Sequence, residues 1–444
     1  MCLRTVVAIL FFLFAPVSFL SEASTFSSTV KEHTLANGLK VLVIEDHKAP
    51  LATFQVWYRV GSRNEPVGKT GMSHLLEHMM FKGTPTYGSK VFSNIIQRNG
   101  GTDNAFTTKD YTMYFQTLSA DRIGLSVELE ADRMVNLLLN PADVKSERSV
   151  VMEERRTRYD DDPQNAVFEE TLAAAFKAHP YHWPVIGWMA DIASINREDL
   201  YDYYHSYYAP NNAFIVVSGG VKEEAILAEI RDKFEKIPPH GTGVPPVTSV
   251  EPPQPGERRV EVKKEAELPF VLMAYHVPSF SHPDSLALEV LSTILSDGKS
   301  SRLYRSLVYE QRIALSAFAD YSGLSKDPFV FLLGATVAPG KESDEVERAL
   351  SDQIEGIKTD VPGERELQKA KNQIEASFIF AQDSNYSKAL YTGMFEIIGG
   401  WRLMDDYLDS IRKVTAEEVQ AVAKKYFSND LRTVGVLRPV KAKE

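Results

Sequence analysis

The sequence predicts an α+β protein built from two similar halves, each a mixed β-sheet with helices packed on it. Strand-like segments alternate with long helical patterns in residues 24–236. A segment rich in proline and glycine, residues 237–257, then interrupts this pattern. Strand-like and helical segments resume in residues 258–444. With 444 residues and 44% hydrophobic side chains, the chain is long enough for two domains with separate cores.

The first half begins with a predicted hairpin. Asn37-Gly38 lies between two apolar runs, as in a tight turn between paired strands. Apolar residues alternate from Phe54 to Val60, which predicts a half-buried strand. The other elements predicted for this half are a helix around His74, a strand near Thr107–Leu118, helices near 119–139 and 141–160, a strand at Phe214–Val217 and a helix that ends near Lys236.

Seven prolines between positions 237 and 256 exclude a helix or a central strand there and predict a linker. The second half then repeats the order of the first, with strands at Arg259–Lys263 and Val271–Tyr275, a helix at Leu286–Leu295 and a final strand at Thr433–Leu437. In this repeat, Leu288, Leu291 and Ser292 are expected where the first half has His74, Glu77 and His78. The second half is therefore expected to lack metal ligands.

Residues 1–23 are typical of a secretory signal, with Arg4 before an apolar run and small residues at Ser21 and Ala23. A membrane anchor is the alternative, but the run from Thr5 to Leu20 is broken by a proline and falls short of the roughly 20 residues needed to span a bilayer. We therefore expect export to the periplasm or the outside of the cell, without stable membrane insertion. The only cysteine, Cys2, lies in this segment, so a metal site in the mature chain must use His, Glu or Asp. The net charge of −11 and the absence of basic runs argue against nucleic acid as a partner.

The segment His74-Leu75-Leu76-Glu77-His78 has the order H-x-x-E-H, the reverse of a common zinc-peptidase motif. On a helix, His78 lies about 40° and Glu77 about 60° from His74, on opposite sides of it. Both imidazoles can then bind one metal ion, and the carboxylate beside them can accept a proton. The alternative is a pair of surface histidines on an amphipathic helix.

A catalytic zinc site usually needs a third protein ligand. On the predicted helix near 141–160, Glu147 and Glu154 share a face with Val144, Val150 and Val151, whereas Glu153 points elsewhere. Because an unpaired buried carboxylate is costly, we expect Glu154 to bind the metal and Glu147 to support the site. The alternative is a half-exposed helix whose carboxylates pair with Arg148 and Arg155.

Several segments together resemble the pitrilysin superfamily of inverted zincins, closest to the branch of mitochondrial processing peptidase and its bacterial relatives. They are Val56–Glu65, Thr70–Thr84, Gly100–Thr107, Glu147–Glu154, His179–Tyr181 and Tyr208–Asn212. The resemblance is dense over residues 30–235 and looser afterwards. It implies a clamshell of two α+β halves around an unfolded peptide, and one zinc ion per chain held by His74, His78 and Glu154. It also implies that Glu77 is the general base and that Glu147 supports the site.

The resemblance also suggests how substrate is bound. The strand with Asn104, Ala105, Phe106 and Thr107 is the candidate edge for peptide binding by strand addition; an ordinary sheet strand is the alternative. Family members often carry an Arg and a Tyr in the second half that contact substrate, and here Val308 and Leu315 fall at those positions. This departure suggests the zinc-bearing member of a heterodimer whose homologous partner supplies the pair, although Arg302, Tyr304 or Arg312 could replace it.

The expected function is therefore a zinc endopeptidase that acts on extended peptides. Two alternatives remain, a non-catalytic scaffold or partner subunit of the same fold and a module that binds peptides without cutting them.

Overall fold

The structure is a computed structural model that describes residues 29–239 and 245–441. The predicted signal segment, with Cys2, lies outside these residues, as do residues 240–244 of the predicted linker. The described residues between 237 and 257 form no helix or strand, as their proline content predicts. Among the described helices, none is long and apolar enough to cross a membrane.

A six-stranded mixed sheet forms the centre of the first half, in the order β1-β2-β6-β3-β5-β4. Its strands are β1 (Val30–Thr34), β2 (Lys40–Glu45), β3 (Leu51–Tyr58), β4 (Thr102–Thr107), β5 (Thr112–Ser119) and β6 (Ala213–Gly219). The hairpin at Asn37-Gly38 is confirmed, because β1 and β2 are antiparallel and Gly38 has a φ of 86° that favours glycine. The prediction of a single strand near Thr107–Leu118 was wrong, because residues 108–111 turn the chain between the antiparallel β4 and β5.

The described residues of this half also form eight α-helices: α1 (Met72–Met79), α2 (Val91–Arg98), α3 (Gly124–Asn136), α4 (Pro141–Arg155), α5 (Pro163–Ala175), α6 (Met189–Ser194), α7 (Arg197–Tyr207) and α8 (Glu223–Phe234). Helix α1 buries Met72, Leu75, Leu76 and Met79 in the main core of this half. Its apolar side is thus fixed, which leaves its two histidines on the side that faces α4.

The second half has a five-stranded sheet in the order β7-β11-β8-β10-β9. Its strands are β7 (Arg258–Glu265), β8 (Phe270–Val277), β9 (Ala314–Tyr321), β10 (Phe329–Val337) and β11 (Arg432–Val440), and its helices are α9 (Ser285–Ser296), α10 (Ser343–Thr359), α11 (Glu364–Ala381), α12 (Asn385–Ile398), α13 (Tyr407–Lys413) and α14 (Ala416–Tyr426). The final strand of each half, β6 or β11, runs parallel to one neighbour, β2 or β7, and antiparallel to the strand that follows this neighbour along the chain, β3 or β8. The two halves are therefore similar, as the order of elements predicts.

The predicted correspondence between α1 and α9 was one residue off. Leu288 and Leu291 are fully buried, whereas the histidines of the motif are partly accessible. Glu289, Ser292 and Thr293 are among the partly buried positions of α9, and they repeat the spacing of His74, Glu77 and His78. Buried positions of α1 must correspond to buried positions of α9, because both helices pack on similar cores. This requirement shifts the correspondence between the two helices by one residue.

The two halves exchange one helix each. Helix α5 of the first half packs on the second sheet against β7, β8 and β11, and α12 of the second half packs on the first sheet against β3 and β6. Gly393 of α12 lies so close to Trp57 that a Cβ atom would come within 2.2 Å of its ring. Arg59 of the first half also bonds Glu396 of α12 at 2.7 Å. This exchange, which the sequence did not predict, fixes the orientation of the halves.

Candidate metal centre

The start of helix α1 is anchored by a buried carboxyl group. Glu65 is 4% exposed and accepts hydrogen bonds from the backbone N–H groups of Gly71 at 2.8 Å and Ser73 at 2.7 Å. A helix leaves its first N–H groups without partners, so an acidic side chain there satisfies them. Burial raises the pKa of Glu65 to about 8, although both hydrogen bonds act in the opposite direction. Sequence reasoning missed Glu65, because it precedes the helix by several residues.

His74, His78 and Glu154 converge in space. The Nε2 atom of His74 lies 3.8 Å from Oε1 of Glu154, and the Nε2 atom of His78 lies 3.4 Å from its Oε2. They form the one group of three or more potential metal ligands found within residues 29–239 and 245–441. Glu154, on α4, therefore points toward the imidazole pair on α1, as the helical face of its predicted helix indicates.

These separations fit a zinc ion. Ligand atoms about 2.0–2.2 Å from a tetrahedral zinc are about 3.4 Å from one another. Two imidazoles and one carboxylate are a common protein set for catalytic zinc, with the fourth position left for water or substrate. The Nδ1 atom of His78 is 3.3 Å from Oε2 of Glu147, which orients that ring with Nε2 toward the centre.

The charge states of the free ligands suit metal binding. Burial, and then the neighbouring His78, lower the pKa of His74 to about 4, so its imidazole is neutral at neutral pH. The hydrogen bond from His78 lowers the pKa of Glu154 against the effect of burial. Burial lowers the pKa of His78, but the carboxylates of Glu154 and Glu147 outweigh it and the net shift is upward. A metal ion therefore competes with a proton for His78, and the raised pKa favours the proton as pH falls.

Glu77 lies beside the ligands and is held by the sheet. Its Oε2 atom accepts a hydrogen bond of 2.5 Å from the hydroxyl of Thr107, the last residue of β4. Burial raises the pKa of Glu77, which makes its carboxylate a better proton acceptor. The contact was not predicted, since Thr107 was singled out only as a substrate-binding residue.

Glu147 joins the metal centre to a lysine. Its Oε1 atom is 2.5 Å from Nζ of Lys82, and Arg158 is 3.1 Å from Glu154. Sequence reasoning missed both cations, although Lys82 follows His78 by one helical turn. The alternative pairing of these carboxylates with Arg148 and Arg155 does not occur, because Arg155 binds Glu169 and Arg148 binds the carbonyl of Ile195.

The predicted buried stripe on α4 needs one correction. Val144 and Val151 are buried with Glu147, but Val150 is 46% exposed and belongs to the outer face. Glu153 is exposed and pairs with Arg156, in agreement with its expected orientation.

Replacing Glu147 with glutamine is expected to weaken zinc binding by roughly 10–100-fold, because the amide removes the charge that orients His78 and pairs with Lys82. Competition between the protein and a chromogenic chelator measures this affinity. Glu153→Gln, on the exposed face of the same helix, is the matched control. An unchanged affinity in Glu147→Gln would remove Glu147 from the support of the site.

The predicted substrate-binding strand, β4, lies at the edge of the first sheet and is followed by the turn at residues 108–111. Asn104 is exposed, and its side-chain oxygen accepts a hydrogen bond from the N–H of Ala105. The ring of Phe106 packs edge-on against Tyr111 at 6.0 Å. Thr107 places the end of this strand directly beside Glu77.

Val308 and Leu315 lie near the start of the second half's edge strand, β9. Val308 is partly buried against the second core, and Leu315 is 54% exposed. Of the three residues considered as replacements for an Arg/Tyr pair, Arg302 is engaged by two hydrogen bonds to Glu366, at 2.8 and 2.7 Å.

Comparison with protein families gives two matches along the chain. The family model described as "Insulinase (Peptidase family M16)" matches residues 40–187, which include the whole metal centre. The model described as "Peptidase M16 inactive domain" matches residues 194–374. The second description fits the half in which Glu289, Ser292 and Thr293 stand in place of His74, Glu77 and His78.

Curated relatives cover most of the chain. The zinc protease PqqE of Helicobacter pylori is 34% identical, and the match covers 91% of this chain and 92% of the relative. An uncharacterized zinc protease of Mycobacterium leprae is 33% identical over 89% of each chain. A probable mitochondrial-processing peptidase subunit beta of Arabidopsis thaliana is 26% identical, with 92% of this chain and 78% of the relative covered.

Solved structures agree with these matches. The crystal structure of a protease from Helicobacter pylori superposes with a TM-score of 0.90 at 33% identity and covers 92% of this chain and 99% of that one. A Pseudomonas fluorescens structure described as a peptidase M16 inactive domain shares the fold, with a TM-score of 0.84 at 18% identity, over 94% of this chain and 99% of that one. Matched in both halves by the family models and over nine-tenths of its length by a zinc protease, the chain belongs to peptidase family M16, the insulinase or pitrilysin family.

Proposed function

We propose that this chain is a zinc-dependent endopeptidase that hydrolyses extended or unfolded peptides with Glu77 as general base. The observation that carries the proposal is the convergence of His74, His78 and Glu154, with Glu77 held beside them by Thr107. The names of the relatives, several of which are zinc proteases, support the same conclusion. One zinc ion per chain is proposed, because these three side chains make a single set of ligands.

Zinc held by these residues would supply a Lewis acid that polarises the scissile carbonyl and increases the acidity of water. The chain's own residues transfer the proton and position the reacting groups. Glu77 accepts the proton of the attacking water and returns it to the leaving amine. The hydroxyl of Thr107 fixes the position of the carboxylate, so little reorganisation is needed during proton transfer. Glu147 and Lys82 hold His78 in one ring orientation.

The peptide is proposed to add to the outer edge of β4 as an extra strand. Backbone hydrogen bonds would then align it, which tolerates many sequences. Because Thr107 ends this strand and contacts Glu77, a peptide paired with Asn104–Thr107 runs past the general base. The same geometry explains why an unfolded peptide is the proposed substrate, since a folded protein has few free strand edges.

Metal removal tests the proposal. The purified full chain is expected to contain close to one zinc per chain, to cleave an unstructured peptide and to lose this activity after dialysis against a chelator. Addition of stoichiometric zinc is expected to restore it, with circular dichroism as a control for folding. A chain that binds zinc but cleaves no peptide, alone or with a co-expressed homologue, would favour the scaffold alternative.

A homologous partner subunit is also proposed. Its basis is the apolar pair Val308 and Leu315, neither of which can donate a hydrogen bond to a substrate carbonyl. The engagement of Arg302 with Glu366 leaves fewer local replacements. Full activity of the purified chain, with no gain from any co-expressed homologue, would contradict the partner.

A further inference from the structure

A cavity of about 610 Å³ lies between the halves, away from the three metal ligands. The turn after β4 (Thr108–Tyr111) forms one wall, and α9, α11, α12 and the turn after β9 form the others. Helix α9 is the counterpart of α1 and packs on α11 and β9, much as α1 packs on α4 and β4. The cavity thus occupies, in the second half, a place related to that of the metal centre in the first. We name it the Glu289 cavity.

The polar centre of this cavity is Glu289, which stands at the position of His74 in the corrected repeat. Among the described residues, the one hydrogen bond to its carboxyl group comes from the hydroxyl of Tyr407, and it has no cation partner. Burial raises the pKa of Glu289 to about 7. A buried carboxyl group without a cation is costly to ionise, so a cationic ligand placed beside it is favoured.

The walls around Glu289 are aromatic. Phe280 packs edge-on against Phe395 at 5.2 Å, and Phe378 lies 5.0 Å from Tyr407. All four line the cavity. Aromatic faces attract cations and also accommodate methylene groups, so this lining suits a positive charge at the end of an apolar stem.

The charges that line the cavity leave it acidic. Lys109 is the one basic residue of the lining, and its ammonium group donates to the carbonyls of Tyr181 at 2.8 Å and Trp183 at 2.9 Å. Asp110 is neutralised by Arg63 at 3.1 Å. Among the described residues, Glu289 and Asp297 take part in no ion pair, so the lining holds one cation, Lys109, against three carboxyl groups, those of Asp110, Glu289 and Asp297.

The cavity continues the path proposed for the peptide. Thr107 contacts Glu77, and the next residue, Thr108, already lines the cavity. A peptide extended along β4 advances about 3.3 Å per residue, so a few residues separate the scissile bond from the mouth of the cavity. We propose that the Glu289 cavity binds a lysine or arginine side chain of the extended peptide, with the cation at Glu289 and the stem between the aromatic rings. This inference rests on the proposed function for the path of the peptide, and it adds a preference for basic peptides.

A positional set of fluorescent peptides tests the inference. Each is an unstructured ten-residue Ser/Ala peptide with one lysine, and its partner carries norleucine, an uncharged residue of similar length, at the same position. Anisotropy measures binding to the full-length, zinc-loaded chain that carries Glu77→Gln, so no peptide is cut. At one or two positions, lysine is expected to bind roughly tenfold more tightly than norleucine. When Glu289→Gln is added, the affinities of the lysine and norleucine peptides are expected to differ by no more than about twofold.

Glu267→Gln is the matched control. It removes the same charge from an exposed loop, and it should leave the lysine preference intact. Equal binding of lysine and norleucine at every position would overturn the inference, as would a preference that persists in Glu289→Gln or that is lost equally in Glu267→Gln. Hydrolysis is measured separately on the chain with Glu77 intact. Lysine binding that depends on position, without any hydrolysis, would therefore contradict the proposed endopeptidase function but not the binding of lysine in the Glu289 cavity.

Discussion

Replacing Glu77 with glutamine is expected to lower kcat for peptide hydrolysis by roughly 10²–10⁴-fold, with zinc content unchanged. Glutamine has nearly the same shape and can still accept the hydrogen bond from Thr107, but its amide cannot take a proton from water. The loss should appear in kcat more than in peptide affinity, because proton transfer belongs to the transition state.

Single-turnover hydrolysis of an unstructured peptide, combined with metal analysis of the same sample, measures this effect. Glu153→Gln is the control, because Glu153 is exposed on α4 and pairs only with Arg156 among the described residues. Turnover that stays within a few-fold of the parent chain would exclude Glu77 as the base. Loss of zinc together with activity would instead show that Glu77 supports the metal.

Replacing Glu154 with alanine is expected to abolish zinc retention during purification, and peptide hydrolysis with it. The change removes one of three ligands, and so it should cost more than the roughly 10–100-fold typical of a supporting residue such as Glu147. The unpaired cation left behind, Arg158, is mostly exposed, so the apo fold should persist.

Thermal unfolding with and without added zinc separates loss of the metal from loss of the fold. A ligand at 100 times its Kd stabilises the folded state by about 2.7 kcal/mol, so zinc should raise the Tm of the parent chain. The same zinc concentration should scarcely change the Tm of Glu154→Ala, while Glu153→Ala should behave as the parent. A Glu154→Ala chain that keeps stoichiometric zinc would show that another side chain completes the site.

Much of the metal centre was predictable because its parts are local. Helical geometry alone places His74 and His78 one turn apart with Glu77 on the same side, and it separates Glu147 and Glu154 from the exposed Glu153. The supporting contacts were not predictable in this way. Glu65 precedes α1 and accepts hydrogen bonds from its first turn, and Thr107 donates from a strand to Glu77. Neither contact follows a spacing rule within one element.

The fold shows the same division. The Asn37-Gly38 hairpin, the linker prolines and the repeated order of elements follow from turn chemistry and hydrophobic period. The two errors in the predicted fold arose where the spacing of apolar residues did not settle the boundaries of an element or the face that it buries. The polar residues Thr108, Lys109 and Asp110 form a turn that the prediction took as part of one strand. The α9 register slipped by one because Leu286 and Leu288 lie on different faces of the helix.

By itself, the sequence determined which residues share a helix face and which chemistry they carry, because backbone geometry repeats every few residues whatever the surroundings. Tertiary structure alone decided that α4 delivers Glu154 to within 3.4 Å of His78, that α5 and α12 are exchanged between the sheets and that Glu289 faces a cavity. These contacts join residues far apart along the chain, and they form because packed cores admit few arrangements of helices on sheets.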